Sequence, residues 1–426
     1  MSLYDKASIA LIPSGTKASK LYSVLPANGN GDFTHTRGST ATRLNKDGLI
    51  ESVATNVPRL DYPLIDGAVQ DCPALLLEPS RTNRNQDTEA FNNWGNGGSL
   101  VTANQAISPD GSLTADELTK TSSFSAISRS NTMSTSGINV VYSIFVKKDT
   151  TDNITLRLAG SSNDVRRFFD LSSETSGASG GNQTGFVSEK IDEYPNGWYR
   201  VSIVCTTDST TLTTNVYAGQ AGNTTFDGEV YIWGSQLEEG DYITSYIPNS
   251  SGTTTRSADV CNGSGTSAEF KDSEGVLFTE VSALANSGGL REIAVSNGSN
   301  SQAVQIKYTS TNNRINGTIA TTSGTIGMTF DVPSLLDYHK ICLKYKASDF
   351  ALWVDGFEVN TNTTVNDTPS GLNQLDFDRA DGVNDFYGKT KQLMTFKTAL
   401  TDNELETLTS YDSFDDMATG QLYTIE

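Results

Sequence analysis

From about residue 89 onward, apolar and polar positions alternate in short runs set apart by Gly, Asn, Asp and Ser. In NVVYSIFVKK, Val140, Tyr142, Ile144 and Val146 share one face. NITLRLAG places Ile154, Leu156 and Leu158 opposite Thr155 and Arg157, and GWYRVSIVCT places Tyr199, Val201, Ile203 and Cys205 opposite Trp198, Arg200, Ser202 and Val204. A period of two is that of strands with one buried face. GEVYIWGSQL is apolar on both faces and reads as a central strand holding Trp233 in the core. A Ser/Gly/Thr-rich stretch near residue 258 interrupts the series. Strands then resume in GVLFTEVSAL, REIAVSN, AVQIKYTS, RINGTIAT, GTIGMTFDV and HKICLKYK. ALWVDGFEV predicts two short strands joined by a tight turn at Asp355-Gly356. The single convincing helix is ALTDNELETLTSY, with Thr401 as cap, Glu404 completing a capping box and Leu400 stapled to Leu405.

Residues 1–88 have no such rhythm. Proline and glycine break them into short extended pieces. We therefore expect an all-β chain: an extended N-terminal arm over 1–88, a jelly-roll β-sandwich over 89–258, and a second sandwich over 259–426 with one short C-terminal helix and a short acidic tail. The apolar pieces ASIALI and PALLLE of the arm need a surface to cover them. That surface is either the chain's own sandwiches or a neighbouring subunit, and the second option favours a homo-oligomer, a trimer foremost.

Composition narrows the chemistry. The 426 residues carry 50 acidic and 30 basic side chains, a net charge of −20. Such a chain is repelled by polyanions, so nucleic acid and membrane insertion are not expected. No apolar run reaches the ~20 residues that span a bilayer, and the first residues do not read as a secretory signal. There are only two histidines, His35 and His339, and four cysteines, with no Cys-x-x-Cys. A His/Cys zinc site and a disulfide framework are not expected. Cys205 and Cys342 fall within strands and read as small buried hydrophobes.

Two runs, ATRLNKDGLIESVATNVPRLDYP and CPALLLEPSRTN, resemble a segment that precedes a jelly-roll module in virion proteins of tailed bacteriophages. RRFFDLSSETSG, NGWYRVSIV and VYIWGSQLEEGDYITSYIPNSSGTTTRSAD look like the middle and end of that module, whose general design is similar to carbohydrate-binding jelly rolls. LWVDGFEV and GKTKQLMTFKTALTDNELETL are similar to laminin-G-like, concanavalin-type sandwiches. The resemblance implies a bacteriophage virion protein (tail fibre, spike or head-associated), made in the host bacterial cytoplasm. Its partners would be other virion proteins and host-surface polysaccharide. It implies no catalytic residues and no required cofactor.

Sugars are held by an aromatic platform beside planar polar side chains. Trp198 and Arg200, on the non-core face of their strand, with Arg157 on another, fit that description. The competing reading has Trp198 capping the sandwich edge under the aliphatic stem of Arg200. Trp94 and Trp353 remain open as surface residues. With net charge −20 the favoured sugar is neutral or cationic. The segment LDFDRADGVNDF places Asp376, Asp378, Asp381 and Asp385 close enough in sequence for a calcium site. It is not an EF-hand, because Ala380 stands at the third ligand position, and a solvated acidic turn is the other reading. No carboxylate pair marks a hydrolase: Glu238 and Glu239 are adjacent on a strand and point to opposite faces. The expected function is non-enzymatic display of glycan-binding modules. A purely structural head or tail decoration protein and a polysaccharide depolymerase are the alternatives.

Overall fold

The computed structural model describes residues 3–222, 228–286 and 289–411; the expected acidic tail from 412 onward lies outside them. Alternating runs become strands throughout. The first sandwich packs two six-stranded antiparallel sheets. One has the order Leu100–Ile107, Leu113–Thr119, Glu229–Glu239, Asn139–Lys148, Trp198–Thr206, Phe186–Tyr194. The other runs Gly95–Asn96, Ile127–Thr132, Thr211–Ala218, Asn153–Ala159, Asp164–Asp170, Thr175–Gly181. Register follows the alternation: Val146 stands opposite Tyr199, Ile144 opposite Val201, and Tyr142 opposite Ile203. These meet Ile154, Leu156, Val165, Phe169 and Val216 of the facing sheet in one core.

The second sandwich combines a five-stranded sheet, which includes Arg314–Thr321 and Ala303–Tyr308, with an eight-stranded one. Asp355 and Gly356 both have positive φ (49° and 89°), as the tight hairpin turn requires. The helix is Asp402–Thr409, with Leu400 and Leu405 buried together against Phe396 and Trp353. The Glu404 carboxylate accepts from the Thr401 backbone N–H at 2.9 Å and from its hydroxyl at 3.0 Å.

The first 88 residues do not form a separate arm. Ile9–Leu11 pairs with residues 393–395 of the strand Gly388–Phe396, and Ala74–Leu77 pairs with the same strand at 388–390. Arg59–Asp61 then adds outside Ala74–Leu77. The eight-stranded sheet of the second sandwich is therefore completed by residues that precede the first, and is not confined to 259–426. Within ASIALI and PALLLE, Ile9–Leu11 and Ala74–Leu77 are buried in this sheet, with Ile9, Leu11 and Leu75 fully covered, while Ile12 stays exposed. That removes the reason for seeking their cover in another subunit, and with it the argument offered for a trimer.

A second part of the segment turns the other way. The hairpin of Ala41–Leu44 and Ile50–Val53 lies on the outer face of the first sandwich. There Leu44 and Ile50 join Phe145, Trp198, Trp233 and Tyr246 in a buried cluster. Between the two attachments runs a buried ionic network. Asp259 accepts from Arg37 at 3.0 Å, from His35 at 3.2 Å, from the Glu78 backbone at 2.9 Å, and from Arg59. Glu78 accepts from Arg59 at 2.6 Å, lies 2.8 Å from Arg256, and takes both the N–H and hydroxyl of Ser245. Burial works against the Glu78 carboxylate, but Arg256 and Arg59 outweigh it and hold it down to about 2.

Candidate functional site

The residues singled out for sugar binding are separated by the fold. Trp198 is 1% exposed, and its indole N–H donates to the Ile107 carbonyl at 3.1 Å. Arg200 is 3% exposed, donates to the Thr244 carbonyl at 2.8 Å and to the Ser143 hydroxyl at 3.1 Å, and stacks over the Phe145 ring. Neither can serve as an open platform. The alternation correctly put them off the central core. It could not show that the hairpin 41–53 and the segment 243–247 fold over that face. Trp94 and Trp353 are buried as well.

Arg157 alone stays on an accessible face, on the opposite sheet. Its cross-strand partner there is Arg166. Asp164 reconciles the two cations: it accepts from Arg157 Nε at 2.7 Å and from Arg166 Nη2 and Nε at 2.7 and 3.1 Å. Burial tends to raise the Asp164 carboxyl, but hydrogen bonds from Arg166 and Arg157 prevail and keep it below the usual range. Arg157 also donates to the Asn215 amide oxygen at 3.1 Å. This trio carries one net positive charge on a chain of −20, so the repulsion of anions inferred from total charge does not extend to this face.

Beside Arg166 the surface sinks into a depression of about 350 Å³ lined by Phe124, Ser179, Gly180, Gln220 and Gly222. The Phe124 ring is 64% exposed. Its support is backbone: the Gly222 N–H donates to the Ser123 carbonyl at 2.7 Å, and the Thr155 hydroxyl ties down Gly219 and Ala221. Gly222 has φ 79°, and a Cβ there would come within 3.0 Å of the Phe124 ring. The Ser179 hydroxyl is buried at the wall without a hydrogen-bond partner. Arg166 Nη1 takes no part in the bonds to Asp164. An exposed aromatic ring, a held guanidinium with a donor to spare and an unsatisfied hydroxyl form the combination a sugar needs: a flat apolar surface for its C–H face and fixed donors for its hydroxyls. Phe124 lies in SSFSA, a turn-like stretch whose composition gives no sign of an aromatic platform.

The four aspartates do not assemble into a calcium site. Asp381 is paired with Arg379 at 2.8 Å, and Asp385 accepts from the Tyr387 hydroxyl at 3.0 Å. Asp376 accepts from the Gly263 N–H at 2.7 Å, and Asp378 from Asn262 and the Ala380 N–H. Burial, more than the neighbouring Asp378, raises Asp376 to about 6. Each carboxylate is used by the protein's own donors, as in an acidic turn. The carboxylates that do converge among the described residues, within 4.8 Å, are Glu117, Asp149 and Glu229, which nothing in the sequence singled out. Exposed acids gather this way without a metal, and no function is assigned to them. Glu238 is buried, holding Thr244 and Gln236, while Glu239 faces outward to Arg84 at 2.7 Å; they form no catalytic pair.

No protein-family model and no curated protein matches the chain. Solved structures do. The CBM40 of the Ruminococcus gnavus IT-sialidase bound to α2,3-sialyllactose aligns at TM-score 0.29 and 13% identity, over 33% of this chain and 84% of that one. Domain 4 of AbnA, an extracellular arabinanase from Geobacillus stearothermophilus in complex with arabinotriose, aligns at 0.29 and 13%, over 40% and 82%. Mouse laminin α1 domains LG4-5 align at 0.24 and 11%, over 83% and 97%. At these scores the likenesses lend nothing to ligand or activity. The all-β sandwich architecture stands on the strand pairing itself.

Proposed function

We propose that the chain is a non-catalytic glycan-binding protein of a tailed-bacteriophage virion, displaying its first sandwich to the host surface. The glycan reading is carried by the depression at Phe124, Arg166 and Ser179, where an exposed ring, a guanidinium and an unpaired hydroxyl share one surface. The virion setting is supported by the sequence runs quoted above. Those runs also supply Arg59, Glu78, Arg256 and Asp259, the residues that lock the N-terminal segment to both sandwiches. A shallow site of this kind binds weakly per copy, and useful attachment comes from many copies on one particle. The test is a glycan array probed with the full-length chain, multimerised on a bead, and with its Phe124→Ala counterpart. Binding to a defined set of glycans that Phe124→Ala abolishes supports the reading. Absence of binding by either leaves a structural decoration protein, and release of reducing sugar from host polysaccharide would point to a depolymerase.

A further inference from the structure

The sheet that holds Arg157 carries two neighbouring rows of side chains on its outer face. One row is cationic: Arg157 stands opposite Arg166 on one strand and Asn215 on the other. The next row, two residues along, is aromatic, with Thr155 opposite both Phe168 and Tyr217. Phe168 lies over Gly177, where a Cβ would come within 2.7 Å of its ring. Like charges directly opposite one another on a sheet repel. Asp164 is the carboxylate that the fold supplies to both guanidiniums, and two cations on one anion leave the row electropositive.

Each guanidinium keeps a nitrogen in reserve. Arg166 bonds Asp164 through Nε and Nη2, which leaves Nη1. Arg157 bonds Asp164 through Nε and Asn215 through Nη1, which leaves Nη2. Neither spare nitrogen is buried, and the two side chains are 20% and 24% exposed, so a solute reaches them without rearrangement. Burial raises the Tyr217 hydroxyl while both guanidiniums draw it down, which places its oxygen near the pair. No carboxylate competes for them. Arg166 is the one charged group among the described residues lining the Phe124 depression, and its walls at 121–126, 175–181 and 219–222 carry no charge. Asp170 and Asp208, at the strand ends, are turned into loops, where they accept the backbone N–H groups of Ser172 and Ser173 and of Ser161, Ser162 and Asn163. Glu189 is matched by Arg167 at 2.6 Å.

From two adjacent, solvent-facing guanidiniums that share one carboxylate beside the Phe124 ring, we infer that the sugar taken by this face is an acidic one. Its carboxylate or sulfate group is held by Arg166 and Arg157 while its ring lies on Phe124. Guanidinium nitrogens in a fixed plane match the oxygens of either group, and a bound anion relieves the repulsion that Asp164 leaves uncancelled. The inference rests on the glycan reading of the depression and names the class of sugar. It reverses the expectation of a neutral or cationic sugar drawn from the total charge of −20. Charges on the surface are largely screened beyond about 8 Å at physiological ionic strength, so the local pair outweighs the distant acids.

The test is an array that pairs uronic-acid oligosaccharides with their carboxyl-reduced forms, and sulfated oligosaccharides with their desulfated forms, probed with the bead-multimerised full-length chain. In one class of pair the acidic member should bind at least about tenfold more tightly, the order of one charge-assisted contact, and the class that shows it tells carboxylate from sulfate. Arg166→Gln should bring that ratio close to one. Asp164→Asn, which unmasks a second cation, should raise it, a change of opposite sign that a merely structural role would not produce. Both variants are compared at equal fold content by circular dichroism. Arg314→Gln removes a paired surface arginine of the second sandwich and should leave the ratio as it was, which separates local from net charge. Equal binding of acidic and neutral members, both lost in Phe124→Ala, would overturn the inference and keep the glycan reading. An acidic preference that survives Arg166→Gln would overturn it as well. Binding to no member of the array would remove the glycan reading and this inference with it.

Discussion

Replacing Arg59 by methionine probes the junction that makes one body of the three sequence segments. The guanidinium donates to Glu78 at 2.6 Å, to the Ser245 hydroxyl at 2.8 Å, to the Thr42 carbonyl at 3.1 Å, and to Asp259. Its own strand sits at the edge of the second sandwich's sheet, while Thr42 and Ser245 belong to the cover of the first. Two charged hydrogen bonds at about 1.5–3 kcal/mol each give a loss of about 3–6 kcal/mol. Breaking a buried ion pair by removing one partner costs about 3–5 kcal/mol on independent grounds. Arg256 remains beside Glu78, and Arg37 and His35 beside Asp259, so the lower half, about 3–4 kcal/mol, is expected. Urea unfolding by tryptophan fluorescence reads this directly. Trp353→Phe leaves three tryptophans, all in the first sandwich, so that sandwich can be followed alone. Both sandwiches should lose stability together. A loss below about 1 kcal/mol, the range of an exposed pair, or a shift confined to one sandwich, would refute the reasoning. Arg157→Met, which breaks a partly exposed pair, serves as the control.

Trp198→Ala should cost about 3–5 kcal/mol in chemical denaturation, as for other large buried aromatics; a folded protein of unchanged stability would contradict the burial of this ring. Thr401→Ala should destabilise by about 0.5–2 kcal/mol through loss of the capping box that Thr401 forms with Glu404. Calorimetry showing no loss would contradict the cap. His339 is pushed down by burial but raised further by Asp355, whose carboxylate lies 2.6 Å from Nδ1, and the net shift is upward. Its contribution is therefore complete below the unfolded value of about 6.5 and is lost as pH rises through the higher folded value. Unfolding midpoints measured from pH 6 to 9 should fall less steeply in His339→Gln; an unchanged profile would reject the assignment.

The strands read from the sequence, such as Asn139–Lys148, Asn153–Ala159 and Trp198–Thr206, were legible because each is long enough to show its period. Val140 to Val146 and Tyr199 to Cys205 reach the core as the alternation requires. The N-terminal segment was not legible for the opposite reason. Ile9–Leu11, Arg59–Asp61 and Ala74–Leu77 are three or four residues long, too short to display a period, and the strand that Ile9–Leu11 and Ala74–Leu77 join lies hundreds of residues away. The same distance hid the site. Trp198 and Arg200 occupy the face the pattern gave them, but alternation says which face a side chain takes and not what covers that face. Phe124 is placed by Gly222, nearly a hundred residues along, through a backbone bond that no local pattern encodes.

The central claim is that the face at Phe124 and Arg166 holds host glycan. Binding of multimerised full-length protein to intact host cells, compared with Phe124→Ala and Arg166→Gln at equal fold content by circular dichroism, tests it most directly. The account predicts saturable binding that free host polysaccharide competes away, and that falls at least about tenfold in each variant through loss of avidity. Undiminished binding by both variants, or no binding by the parent protein, would contradict it.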